Sequence, residues 1–163
     1  MDTITAVQED YLEVVLRLEQ ERGQGAVRIS DIADRLGTRL PTVTRTVQKL
    51  TEMGLLLHDE RRDVRLSERG RKAAREILHR HEDLQDFFTS VLGLADSEAE
   101  RTVCQIEHGL SSKAAQRLHE FLEYLDSLEP SQRALIQQFK ETASAGRKDF
   151  RHLPDIRQDG WRS

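Results

Sequence analysis

Gly37 and Pro41 stand four residues apart and leave few options for the chain around them. Ser30-Asp31-Ile32-Ala33-Asp34-Arg35-Leu36 has helical spacing, with Ser30 placed to serve as N-cap. A glycine just past the last turn adopts the left-handed conformation that stops a helix, so Gly37 closes it. Pro41 has a preset φ and no N–H, which suits the first turn of a new helix. Thr38-Arg39-Leu40 is then a tight turn, and the next helix runs through Val43, Val47 and Leu50 to Gly54. Two short helices joined this way form a helix-turn-helix.

The next segment extends the pattern. Leu55-Leu56-Leu57-His58 and Val64-Arg65-Leu66 read as two short strands around the polar turn Asp59–Asp63. Helix, helix, hairpin is the order of a winged helix. In such a module the second helix offers its N-terminal side chains to base edges in the major groove. Here these are Arg39, Pro41, Thr42, Thr44 and Arg45, with Gln48 and Lys49 one turn on. Arginine can read guanine, glutamine can read adenine, and a threonine methyl can touch thymine. Lys49 and the wing residues Arg61 and Arg62 suit phosphates, which position the protein without specifying sequence.

Charge is distributed to match. The chain has a net charge of −4, yet residues 28–75 carry 12 basic and 7 acidic side chains. Residues 1–27 have a net charge of −4 and residues 76–163 of −5. A basic block between acidic flanks is the footprint of a phosphate-binding surface beside carboxylates that can bind cations.

The remaining segments read as helices. Ile4, Val7, Tyr11, Val14, Val15 and Leu18 predict a helix over residues 4–22, ended by Gly23 and Gly25. A long helix is expected from Ser67 to Leu92, with Gly70 tolerated at little cost in its first turn. Gly93–Asp96 is a break, and Asp96 or Ser97 caps a helix of about 98–108 that Gly109 ends. Ser111-Ser112 opens another, whose face of Ala115, Leu118, Phe121, Leu122 and Leu125 suits either core or dimer contact; 131–143 forms one more. The expected class is mainly α. A winged-helix DNA-binding domain is expected over 1–72, a second, helical domain with a candidate dimer face over 73–143, and a mobile tail over 144–163. No apolar run is long enough for a membrane span, and the N-terminus has no signal-peptide pattern. One cysteine excludes an internal disulfide, so a cytoplasmic location is expected.

Cys104-x-x-Glu107-His108 puts a thiolate, a carboxylate and an imidazole at i, i+3 and i+4, one face of a helix. These residue types together suit a divalent transition metal. Asp10 and Glu13 form a second carboxylate face at i and i+3, and His81 lies in the long helix. Packed helices can bring all six together.

Taken together, Gln8-Glu9-Asp10-Tyr11-Leu12-Glu13, Ser30-Asp31-Ile32-Ala33, Pro41-Thr42-Val43-Thr44, Val47-Gln48-Lys49-Leu50, Arg80-His81-Glu82 and Cys104–Ser111 resemble a known family. It is the diphtheria-toxin-repressor and manganese-transport-regulator family of metal-dependent repressors, and the likeness covers about residues 5–128. The resemblance implies metal ligands at Asp10, Glu13, His81, Cys104, Glu107 and His108. Five match the manganese branch, where position 104 is Glu; Cys104 instead matches the iron branch, whose position 10 is Met. That branch's ancillary site would have His at 100 and Glu at 85, where this chain has Glu100 and Gln85. On length, the resemblance is expected to be to the two-domain members, without the SH3-like domain of the iron branch. A thiolate shifts preference toward softer ions, so Fe(II) is expected first, Mn(II) close behind, then Zn(II) or Co(II). The resemblance further implies a homodimer on a palindromic operator, repressing metal uptake, with no enzymatic activity. The alternative is a winged-helix regulator that senses oxidant or a small molecule through Cys104.

Overall fold

The computed structural model describes residues 4–23, 27–58 and 63–144. The elements run α1 (Ala6–Glu21), β1 (Val27–Arg28), α2 (Ile29–Leu36), α3 (Leu40–Glu52), β2 (Leu56–His58), β3 (Asp63–Leu66), α4 (Glu68–Asp86), α5 (Asp96–Ile106), α6 (Ser112–Ser127) and α7 (Pro130–Ser144). A π-helical turn, Phe87–Val91, extends α4, and a 3-10 turn, Glu107–Gly109, follows α5. The fold is thus mainly α with a small sheet. Among the described residues no helix is long and apolar enough to cross a membrane.

The chain divides into two compact units. The first joins the described residues up to Glu82 with Cys104–Ser111; the second holds Asp83–Val103 and the residues from Ser112 onward. The metal-type motif of α5 and its 3-10 turn therefore packs in the same unit as the helix-turn-helix.

In the first unit, α1 begins two residues later than its apolar pattern. Thr5 caps it: its hydroxyl accepts from the Gln8 amide at 3.4 Å, and Gln8 Oε1 accepts from the Thr5 amide at 3.0 Å. The core joins Tyr11, Leu12, Val15 and Leu16 of α1 to Ile32 of α2, Val43, Val47 and Leu50 of α3, Leu56 and Val64 of the sheet, and Ala74 and Ile77 of α4. Each apolar position on α3 that the sequence marks is fully buried. The helix-turn-helix ends α2 at Gly37, whose φ is 58°, and Pro41 sits in the first turn of α3.

Besides α5, which starts at Asp96 with its first amides on the Ala95 carbonyl rather than being capped by Asp96 or Ser97, three expectations need correction. Ser30 is not the N-cap of α2; it lies in the first turn, and Arg28 is the cap. The reason is β1, an extended pair that runs straight into the helix and makes a three-stranded antiparallel sheet, order β1-β3-β2, from the expected hairpin. Val27 pairs with Val64, and Leu56 with Leu66. Asp31 then does the capping, accepting from the Arg28 amide at 2.9 Å and bonding Arg22 at 2.7 Å. Second, Gly70 is required: a Cβ there would lie 1.8 Å from the Leu55 carbonyl oxygen. Third, α5 stops at Ile106, so Glu107 and His108 leave the α-helical geometry on which a single face with Cys104 depends.

A buried carboxylate ties this unit together. Glu19, 2% exposed, accepts from the Leu66 amide at 2.9 Å and pairs with Arg71 at 2.7 Å. It links α1 to the return strand of the hairpin and to α4. In the second unit Leu84, Ala99, Val103 and Leu122 are buried, and Phe87 meets Phe121 edge-on at 6.5 Å. Phe121, Tyr124, Leu135 and Phe139 are exposed in the single chain.

Candidate functional site

Three elements of the first unit converge on one spot: α1, the last turns of α4, and the 3-10 turn. The turn inserts Glu107 into the interior, where only 3% of it is exposed. There its Oε2 lies 2.9 Å from Nδ1 of His81, itself 6% exposed. Glu13 completes the group: one donor atom from each of Glu13, His81 and Glu107 lies within 4.8 Å of the others. Two ligands of one ion, each at about 2.1 Å, stand no more than about 4.2 Å apart. The spacing is close to that of a coordination sphere.

His108 extends the group outward. Its Nε2 lies 3.0 Å from Asp10 Oδ1 and 3.7 Å from Glu107 Oε1, and its Nδ1 lies 2.8 Å from Glu9 Oε2. Asp10 and Glu13, one turn apart on α1, thus face His108 and the His81–Glu107 pair respectively. Arg17 holds Glu13 Oε1 at 2.7 Å, and Arg80 holds Glu9.

The electrostatics of this cluster favour added positive charge. Burial raises the Asp10 carboxyl above its ordinary 3.8; His108 opposes the shift, while Glu107 and Glu9 add to it. Burial pulls the His108 imidazole down, but the Glu9 hydrogen bond and the charges of Asp10, Glu107 and Glu9 outweigh it, and the net shift from 6.5 is upward. Both groups hold protons more tightly than in water. Carboxylate oxygens and imidazole nitrogens gathered this closely are the donors that suit Mn(II), Fe(II) or Zn(II). The residues fit a divalent metal.

Of the six residues expected as ligands, the structure gathers Glu13, His81 and Glu107, and joins Asp10 to His108. Cys104 is exposed on the last turn of α5 and stands outside the Glu13–His81–Glu107 group. Glu9 is the residue that sequence reasoning missed. It was legible only as one more acidic position on α1, since its importance comes from partners 71 and 99 residues away.

The DNA-reading candidates form a separate face. Val43, Val47 and Leu50 point inward, while Arg39, Pro41, Thr42, Thr44, Arg45, Gln48 and Lys49 are all exposed. Thr44 donates its hydroxyl to the Leu40 carbonyl at 3.0 Å. The first turn of α3 carries no acidic residue. Arg61 and Arg62 lie outside the described residues.

Comparisons with known proteins match both halves of the chain. Residues 3–64 match the family model "Iron dependent repressor, N-terminal DNA binding domain". Residues 67–132 match "Iron dependent repressor, metal binding and dimerisation domain". The "HTH-type transcriptional regulator MntR" of Bacillus velezensis is 31% identical over 142 residues, 87% of this chain and 98% of that protein. The MntR of Shouchella clausii is 35% identical over 120 residues, 74% of this chain and 82% of that protein. A solved "Manganese-dependent transcriptional repressor complex with manganese" superposes with a TM-score of 0.65 at 31% identity, covering 72% of this chain and 53% of the other. The chain thus spans about half the length of that structure. The chain belongs to the iron-dependent repressor family, and is a metal-dependent transcriptional regulator of that family rather than an enzyme.

Proposed function

We propose that this chain binds a palindromic operator as a homodimer when Mn(II) or Fe(II) occupies the cluster of Asp10, Glu13, His81, Glu107 and His108, and that it represses metal-uptake genes. The observation that carries this reading is the convergence of Glu13, His81 and Glu107 within 4.8 Å, with His108 and Asp10 alongside.

A divalent metal bound there would supply two positive charges against the clustered carboxylates. The protein's part is positional. Asp10 and Glu13 project from α1, which packs on α2 and α3 through Tyr11, Leu12, Val15 and Leu16. His81 projects from α4, and Glu107 and His108 from the 3-10 turn. These side chains would hold the ion between α1, α4 and the turn, and α1 in turn packs on α2 and α3 and so positions the recognition helix. A coupling of about 1–3 kcal/mol between metal and operator is ordinary for such a switch. Arg39, Thr42, Thr44, Arg45 and Gln48 read bases; Lys49, Arg61 and Arg62 hold phosphates. The exposed Phe121, Tyr124, Leu135 and Phe139 support a partner subunit against the second unit.

On metal choice, Mn(II) takes first place over Fe(II). The sequence argument for Fe(II) rested on the thiolate of Cys104, whereas the donors that gather, Glu13, His81 and Glu107, are two carboxylates and an imidazole. Relatives named MntR and the solved structure described as a manganese complex support the same order. Cys104 remains a candidate outer ligand that favours Zn(II) or Co(II).

Anaerobic operator binding titrated with Mn(II), Fe(II), Zn(II) and chelator tests the proposal. Metal is expected to tighten binding at least tenfold at fixed ionic strength, corresponding to about 1.4 kcal/mol. Operator affinity indifferent to chelator would overturn the reading.

A further inference from the structure

His108 has two ring nitrogens, and the chain gives them different neighbours. Nε2 faces Asp10 at 3.0 Å and Glu107 at 3.7 Å, the side where ligands gather. Nδ1 faces Glu9 at 2.8 Å. A carboxylate accepts hydrogen bonds, so the tautomer protonated on Nδ1 satisfies this contact and leaves the Nε2 lone pair for a ligand. Glu9 and Asp10 are successive residues on α1, and successive residues of a helix do not share a face. They therefore meet the ring from different sides. Glu9 is also anchored: its Oε2 takes Nη2 of Arg80, from α4, and Glu9 and Arg80 have only 19% and 15% of their side chains exposed.

We propose that Glu9 is a positioning residue of the metal centre, whose carboxylate holds the Nδ1–H of His108 and so directs Nε2 to the ligand cluster, with Arg80 fixing the carboxylate in place. Ligating histidines are commonly oriented this way by a carboxylate on the far nitrogen, which sets the tautomer and raises ligand basicity. Glu9 stands on the side of the ring away from Glu107, and its contacting oxygen already serves two donors. It acts through His108 rather than as a ligand itself. The inference rests on the metal-centre reading of the proposed function.

The test uses the full chain. Mn(II) affinity is measured for the parent, Glu9→Ala and Glu9→Gln, with melting in chelator to show that each is folded. Glu9→Ala is expected to weaken Mn(II) binding by about 10–100-fold, the usual effect of losing such a partner. Glu9→Gln keeps an acceptor oxygen and is expected to recover most of that loss. In the Zn(II)-loaded protein, 15N-edited NMR should show a protected His108 Nδ1–H in the parent and in Glu9→Gln. A folded Glu9→Ala that binds Mn(II) within about threefold of the parent, well short of the loss expected for such a partner, overturns the proposal. So does a Glu9→Gln as weak as Glu9→Ala, which would make Glu9 a ligand or a mere charge. If Glu9→Ala does not fold, absence of the protected Nδ1–H in Glu9→Gln overturns it instead. A parent that binds no Mn(II), Fe(II) or Zn(II) overturns the metal-centre reading itself, a different result from the others.

Discussion

Nδ1 of His81 lies 2.9 Å from Oε2 of Glu107, and both side chains are almost wholly buried although 26 residues separate them. Burying a carboxylate and an imidazole together costs more than burying two apolar side chains of the same size. With Glu13 beside it, the pair is also the set of donors that the metal-centre proposal assigns to the ion. Glu107→Gln preserves volume and hydrogen bonding but removes the anionic donor. It is expected to lower Mn(II) affinity by more than the roughly 10–100-fold typical of a supporting partner. Isothermal titration checks this, and an unchanged affinity would remove Glu107 from the ligand set.

Cys104 separates the two metal preferences. Because it is exposed and outside the Glu13–His81–Glu107 group, Cys104→Ser should leave Mn(II) affinity within about threefold, while Zn(II) or Co(II) affinity falls about tenfold as the soft donor is lost. Loss of the thiolate-to-cobalt charge-transfer band would accompany it. A large drop in Mn(II) affinity would place the thiolate inside the primary sphere instead.

On the DNA face, base-reading and phosphate-holding residues should respond differently. Lys49→Ala is expected to weaken operator and nonspecific binding alike and to reduce the salt slope by about one. Arg45→Ala is expected to cost about 1–3 kcal/mol on the operator and to relax preference at one base pair. Fluorescence anisotropy across a salt series distinguishes them. Equal loss on operator and random DNA for Arg45→Ala would move that residue to the phosphate group.

Gly70 tests packing rather than binding. Alanine there would drive a methyl group into the Leu55 carbonyl oxygen, a backbone atom that cannot swing aside. The expected loss is about 3 kcal/mol, which lowers the melting temperature by roughly 6–12 °C in a chain of this size. A melting curve that coincides with the parent's would contradict the close approach of α4 to Leu55.

Much of the fold was legible because its signals are local. Gly37 ends α2, Pro41 starts α3, and Val43, Val47 and Leu50 turn inward, since cap chemistry and helical periodicity act over a few residues. The exposed face opposite them follows from the same periodicity. Strand β1 was missed because two residues carry no pattern of their own; Val27 and Arg28 are a strand only because Val64 and Asp63 pair with them.

The sequence by itself determined the helix-turn-helix, the hairpin and the inventory of metal-type side chains, together with a resemblance strong enough to name a family. The tertiary structure decided which of those side chains meet. Glu107 lies one turn beyond the buried Val103 and reaches His81 in the interior, while Cys104 is exposed, so the three residues of the motif differ in burial. The tertiary structure also selected Glu9 and Glu19 from the acidic residues of α1, because only the packing of His108, Arg80, Leu66 and Arg71 gives those two carboxylates their partners. Local backbone chemistry can be read along the chain, whereas the worth of a charged side chain depends on distant neighbours that only the folded core brings into contact.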